Sequence, residues 1–102
     1  SGTMAPQVIA KGADLMAMQI RHIARANDIL IYEEPPLARA LYASTEVGDE
    51  IPGNLFLAVA RVLAYVFHIR KAQATDYIPR PASIELPEEY ADIIDKELTD
   101  GD

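Results

Sequence analysis

Apolar and polar residues fall along this chain in blocks that predict strand and helix in turn. Residues 7 to 10 form a short apolar run, too brief for a helix, and Gly12 supplies a break, so a strand is expected there. From Asp14 the period changes. At 100° per residue, Leu15, Met16, Ala17, Ile20, Ile23 and Ala24 fill one arc, while Asp14, Arg21, His22 and Arg25 fill the other; Met18 and Gln19 interrupt the pattern. Asp14 in the first turn and Arg25 in the last suit the helix dipole. Asn27-Asp28 stops the helix, and Ile29-Leu30-Ile31-Tyr32 reads as a second strand. The result is a β-α-β unit with parallel strands and a right-handed crossover.

Pro35 and Pro36 then preset φ for a short helix through about Ala43, because proline tolerates the first turn, where its missing N–H has no intrahelical partner. Ser44 to Glu50 is a polar loop. Pro52 opens a longer helix running to about Arg70, with Asp49 and Glu50 near its positive end. Only Arg61 and His68 make a polar stripe on it; Leu55, Phe56, Val59, Val62, Leu63, Val66, Phe67 and Ile69 cover most of its circumference. Such a helix needs cover on several sides. Two strands and two further helices supply too little, so part of its cover, or of the sheet beside it, is expected to lie outside this chain.

The expected fold class is therefore α/β: a small β-α-β core with parallel strands, flanking helices and an extended acidic C-terminal tail. Residues 1–70 make the domain and 71–102 the linker and tail. Ile78-Pro79-Arg80-Pro81-Ala82 is a proline-punctuated linker. Residues 88–98 can form one acidic helix whose Tyr90, Ile93, Ile94 and Leu98 share a stripe, though a mobile tail is the simpler expectation.

Composition narrows the function classes. The 102 residues allow one modest core, and the absence of cysteine removes disulfides and thiolate metal sites and suits a reducing compartment. The longest apolar stretch, Val62 to Ile69, is interrupted by His68 and is far shorter than the roughly 20 residues of a membrane span. No signal peptide is evident, and the chain reads as soluble. The net charge of −7 is concentrated at one end: Ser1 to Arg70 carries seven acidic and six basic residues, a balance of −1, and the rest carries nine and three, a balance of −6. A near-neutral body with an acidic tail lacks the clustered Lys and Arg that phosphate backbones require, so nucleic acid is not an expected partner.

Catalytic chemistry finds little support. His22 and His68 have no nucleophile with a supporting motif beside them, and Ser44 and Ser83 stand alone. The glycines are isolated and make no phosphate loop. Glu33-Glu34 and Glu88-Glu89 are adjacent pairs that diverge, which suits solvated surface charge. No metal and no cofactor is expected. One binding feature remains: Met18, the start at Ala5-Pro6, and the apolar helix around Ala60 and Leu63 can leave a groove, with the small Ala5 and Ala60 making room and Leu63 a floor. Ordinary core is the alternative.

Three separated words carry a family resemblance. Ala5-Pro6-Gln7-Val8-Ile9-Ala10-Lys11-Gly12-Ala13, Pro35-Pro36-Leu37-Ala38-Arg39-Ala40-Leu41-Tyr42, and Ile51-Pro52-Gly53-Asn54-Leu55-Phe56 with Ala58 to Val66 together resemble the C-terminal cytoplasmic domain of the FlhB/YscU/SpaS family of type III export-switch proteins, over about residues 4 to 70. The long tail favours the flagellar branch. The resemblance implies a domain hung from a membrane-embedded part at the cytoplasmic face of the bacterial inner membrane. It also implies self-cleavage at Asn-Pro-Thr-His, by attack of the asparagine side chain on its own carbonyl, and a resulting change of export from rod and hook to filament proteins.

This chain departs from that pattern, because Asn27 precedes Asp28 and Asn54 precedes Leu55, so no Asn-Pro pair exists. The cleavage loop and its strand are expected before Ser1, and self-cleavage maps to no residue present. What the resemblance carries over is a pocket for early export substrates at Ala5, Pro6, Ala60 and Leu63. The implied partners are early rod- or hook-type substrates, the hook-length control protein, cytoplasmic domains of other export-gate subunits, and the upstream segment of the same domain. Self-association through an exposed strand edge at Gln7 to Ala10 is a further expectation. The leading reading is thus a non-enzymatic substrate-docking and specificity-switch module. The alternatives are part of a self-cleaving protein whose active segment lies outside this chain, or a free-standing soluble paralogue.

Overall fold

Helices supply the regular structure of the computed structural model, which describes residues 5–72, 80–81 and 84–93. In chain order they are α1 (Leu15–Ala26), α2 (Pro35–Ser44) and α3 (Phe56–Lys71), with 3₁₀ turns at Gly53–Leu55, leading into α3, and at Glu88–Tyr90. The three α-helices stand where the periodicity places them. Asn27 ends α1 by donating its backbone N–H to Ile23 and Ala24 and its side-chain Nδ2 to the Ile23 carbonyl at 2.8 Å, and Asp28 then takes φ 57°, a left-handed conformation that Asp tolerates better than most residues. Pro35 and Pro36 occupy the first turn of α2. Its end is closed by Thr45, whose N–H and Oγ1 both donate to the Leu41 carbonyl at 3.1 and 2.6 Å. His68, Arg70 and Lys71 fall in the last turn of α3, where the dipole favours cations.

The expected β-α-β core with parallel strands is not what forms. Among the described residues there is no strand; Gln7 makes one isolated antiparallel bridge, with Glu50. The backbone groups of residues 6–8 find partners in the loop before α3 and not in 29–32: Val8 N–H donates to Asp49 O at 2.8 Å, Gly48 N–H to Val8 O at 2.6 Å and Ile51 N–H to Pro6 O at 2.9 Å. A run of β-branched residues becomes a strand only when a neighbour offers a ladder. Residues 29–32 have no such neighbour among the described residues, and Tyr32 instead packs edge-on to Tyr65 of α3, ring centroids 5.4 Å apart.

The core gathers residues from distant parts of the chain. Leu37 and Ala40 of α2, Ile51, Leu55, Ala58 of α3, Ile84 and Tyr90 form the buried apolar cluster, flanked by Val8, Leu41, Val59, Val62, Leu86 and Ile93. Residues 84–93 therefore belong to the core, against the expectation of a mobile tail. The described part of the 88–98 stretch is the 3₁₀ turn at Glu88–Tyr90 and a helical 91–93; its remainder, with Ile94 and Leu98, lies outside the described residues, as does most of the linker. Cover is thin elsewhere. No residue of α1 is buried, and α3 buries only Ala58 while Phe56, Leu57 and Phe67 are half exposed or more. By length and composition Gly53–Lys71, at 19 residues, reaches the size of a membrane span, longer than the apolar stretch read from sequence. It is also the helix that seats Leu55 and Ala58 in the domain core.

Candidate docking surface

The segment bearing Ala5 and Pro6 is tied to the entrance of α3 by the three backbone hydrogen bonds of residues 6–8 with the 48–51 loop. Gly48 permits that loop, since its φ of 96° is one L side chains rarely adopt. Ala5 is half-buried and Pro6 exposed; Ala60 is exposed and Leu63 half-buried on α3. Val8, two residues after Pro6, and Val59 and Val62 of α3 pack against the same core cluster. Neither of the two described cavities is lined by any of the four. The feature is an open surface over the core.

Two members of that surface escape a reading based on small residues alone. Phe56, Ala60, Leu63 and Phe67 succeed one another at spacings of four, three and four, which places them in one stripe along α3. Phe56 is 49% and Phe67 54% exposed, so the stripe presents aromatic rings at both ends with Ala60 and Leu63 between. A small side chain between two rings leaves a depression an incoming apolar side chain can enter. The spacing was visible in the sequence; which side of so apolar a helix stays uncovered was not. Met18, on α1, is also exposed.

The described cavities are of a different kind. One, of about 520 Å³, is lined by Arg25, residues 29–33, Tyr65, Ile69 and Arg80. Arg80 lies 5.1 Å from the centre of the Tyr32 ring and donates to the Glu33 carbonyl at 3.3 Å; its guanidinium is held more firmly protonated than usual, first by its hydrogen bond to Tyr32. The other, of about 620 Å³, lies between the start of α1 and α2, with Ile93 at its margin and the Arg21 to Glu33 pair, 2.8 Å, inside it.

Catalytic groups do not converge. His22 and His68 are both exposed, on different helices, and among the described residues no cluster of three His, Asp or Glu side chains could hold a metal ion. Glu33 pairs with Arg21, and Glu89 accepts a hydrogen bond from Asn54. The surface offers apolar contact at Phe56 and Phe67.

Known proteins share this sequence and architecture. The model of the FlhB HrpN YscU SpaS Family matches residues 1–66. The flagellar biosynthetic protein FlhB of Salmonella typhimurium is 42% identical over 99 residues, covering 95% of this chain and 26% of that protein; FlhB of Escherichia coli is 52% identical over 67 residues, covering 66% and 18%. The chain thus spans about a quarter or less of the length of these relatives. The crystal structure of the cytoplasmic domain of FlhB from Shewanella putrefaciens superimposes with a TM-score of 0.68 at 45% identity, covering 81% of this chain and 73% of that one.

Proposed function

From the premise that this chain belongs to the FlhB HrpN YscU SpaS family, we propose that it is a substrate-docking and specificity-switch module of the flagellar type III protein export apparatus. The observation that carries the docking role is the stripe on α3 of exposed Phe56, Ala60 and Phe67 with half-buried Leu63, a helix whose entrance is pinned to the Ala5-Pro6 segment. Early rod- or hook-type substrates are the proposed ligands. Each would present one apolar side chain to the depression at Ala60, with the flanking rings closing over it.

The module acts at the cytoplasmic face of the bacterial inner membrane, a placement supported by the Shewanella relative being a cytoplasmic domain. It works by binding and not by catalysis in these residues, since no Asn-Pro pair occurs in them. The hook-length control protein, other export-gate cytoplasmic domains and the upstream part of the same domain are its proposed further partners. The half-covered α1 and α3 provide apolar surface for the last two.

The test is capture of a purified hook-type substrate by the full chain. Ala60→Glu or Leu63→Glu should abolish capture while far-ultraviolet circular dichroism stays unchanged, because neither side chain is fully buried. Capture undiminished in both variants would remove the docking role from this stripe.

A further inference from the structure

Residues 80–81 and 84–93 are attached to the body in an unusual way for a part of the chain that contributes to the core. Ile84 is 9% and Tyr90 6% exposed, both in one cluster with Leu37, Ala40, Leu55 and Ala58, and Leu86 and Ile93 pack at its margin. Yet among the described residues no backbone-to-backbone hydrogen bond joins this segment to the rest; the Tyr90 N–H bonds locally, to Pro87 O at 3.0 Å. Among the described residues, the segment's hydrogen bonds to the body are made by side chains. At one end Arg80 lies on the Tyr32 ring and donates to Glu33 O. At the other, Tyr90 O–H donates to Asn54 Oδ1 at 2.9 Å, and Asn54 Nδ2 donates to Glu89 Oε1.

We propose that residues 84–93, with Arg80 as a further anchor, are a cis-docked strap that opens as a unit without unfolding the three helices, uncovering an apolar groove floored by Leu37, Ala40, Leu55 and Ala58. The physical ground is the separation of the two kinds of bonding. Neither the hydrogen bonds within the three helices nor the Lys11 and Thr45 ties use a strap residue. Among the described residues, release therefore costs side-chain burial, the Arg80 contacts with Tyr32 and Glu33 O, and the Tyr90–Asn54–Glu89 hydrogen bonds, which places it on the low-energy side of local opening. The groove's occupant is the chain's own Ile84 and Tyr90. Asn54 lies two residues before Phe56, so strap and exposed stripe meet at the same end of α3. The strap is a property of this chain alone, whatever the stripe binds.

A Glu-specific endoprotease acting on the full chain reads the open population through cleavage after Glu85, which lies within the strap. Cleavage after Glu85 should be at least tenfold slower in the wild type than in a synthetic peptide of residues 80–93. Tyr90→Phe, which removes only the hydroxyl, should speed it about fivefold, as expected for one hydrogen bond. Tyr90→Ala should speed it more than Tyr90→Phe, and Lys11→Met, which weakens a tie wholly within the body, should leave it unchanged. Wild-type cleavage as fast as in the free peptide would overturn the docking. Acceleration by Lys11→Met as large as its loss of global stability would overturn opening as a separate unit, because the strap would then leave only when the body unfolds.

Discussion

The ammonium of Lys11 reaches across 34 residues to donate to the backbone carbonyl of Thr45 at 2.5 Å, at the C-terminal end of α2. It also donates to the Tyr42 carbonyl at 3.1 Å, lies 4.9 Å from the centre of the Tyr42 ring and stands 3.7 Å from Glu46. A single cation thus satisfies carbonyls that the end of a helix leaves without intrahelical partners and that carry its negative dipole. It ties the extended segment before α1 to α2, complementing the backbone bonds that tie it to the loop before α3.

Replacing Lys11 by Met keeps the aliphatic stem and removes those donors. The loss should be about 1–3 kcal/mol, the usual penalty for charge-assisted bonds to partly buried carbonyls. Urea unfolding of the full chain measures it, and a midpoint indistinguishable from wild type would show the tie to be energetically idle.

Gly12 makes a close approach to the first turn of α1. A Cβ there would stand 2.6 Å from Met16 Cβ, whereas one at Gly53 would meet nothing within 4 Å. Gly12→Ala should cost about 1–3 kcal/mol, as overpacking does, and Gly53→Ala should change little. Thermal denaturation of the two variants in parallel tests the contrast; equal melting temperatures would contradict it.

Core and stripe should respond oppositely to truncation. Leu55 is fully buried, so Leu55→Ala should cost about 2–5 kcal/mol. Phe67 is half exposed, so Phe67→Ser should cost less than about 1.5 kcal/mol yet weaken capture of a hook-type substrate. Denaturant midpoints and capture assays on the same two variants separate stability from recognition. A large stability loss in Phe67→Ser would mean that the ring is structural.

The Arg21 to Glu33 pair joins α1 to the segment before α2 at 2.8 Å, but its side chains are 46% and 61% exposed. Solvent and salt screen such pairs. Arg21→Gln should cost less than about 1 kcal/mol, and that difference should disappear in high salt. A difference that persists there would indicate that Arg21 acts through packing.

The sequence alone determined the local features. The helical periods of residues 14–25, the Pro35-Pro36 start and the Pro52 entrance to α3 are set by spacing and backbone sterics, which need no partner, and the three helices follow them. The family was likewise legible, because its words at Ala5-Pro6, Pro35 to Tyr42 and Ile51 to Phe56 are contiguous. Partnership was decided only in three dimensions. Whether residues 7–10 and 29–32 become strands depends on which backbone lies beside them, and residues 6–8 met the 48–51 loop instead of each other's expected neighbour. The seating of Ile84 and Tyr90 rests on side-chain contacts across tens of residues, which no local period encodes. The exposure along α3 was decided the same way: its apolar residues surround the axis, and only the placement of the other elements leaves Phe56, Ala60 and Phe67 exposed with Leu63 half-buried between them.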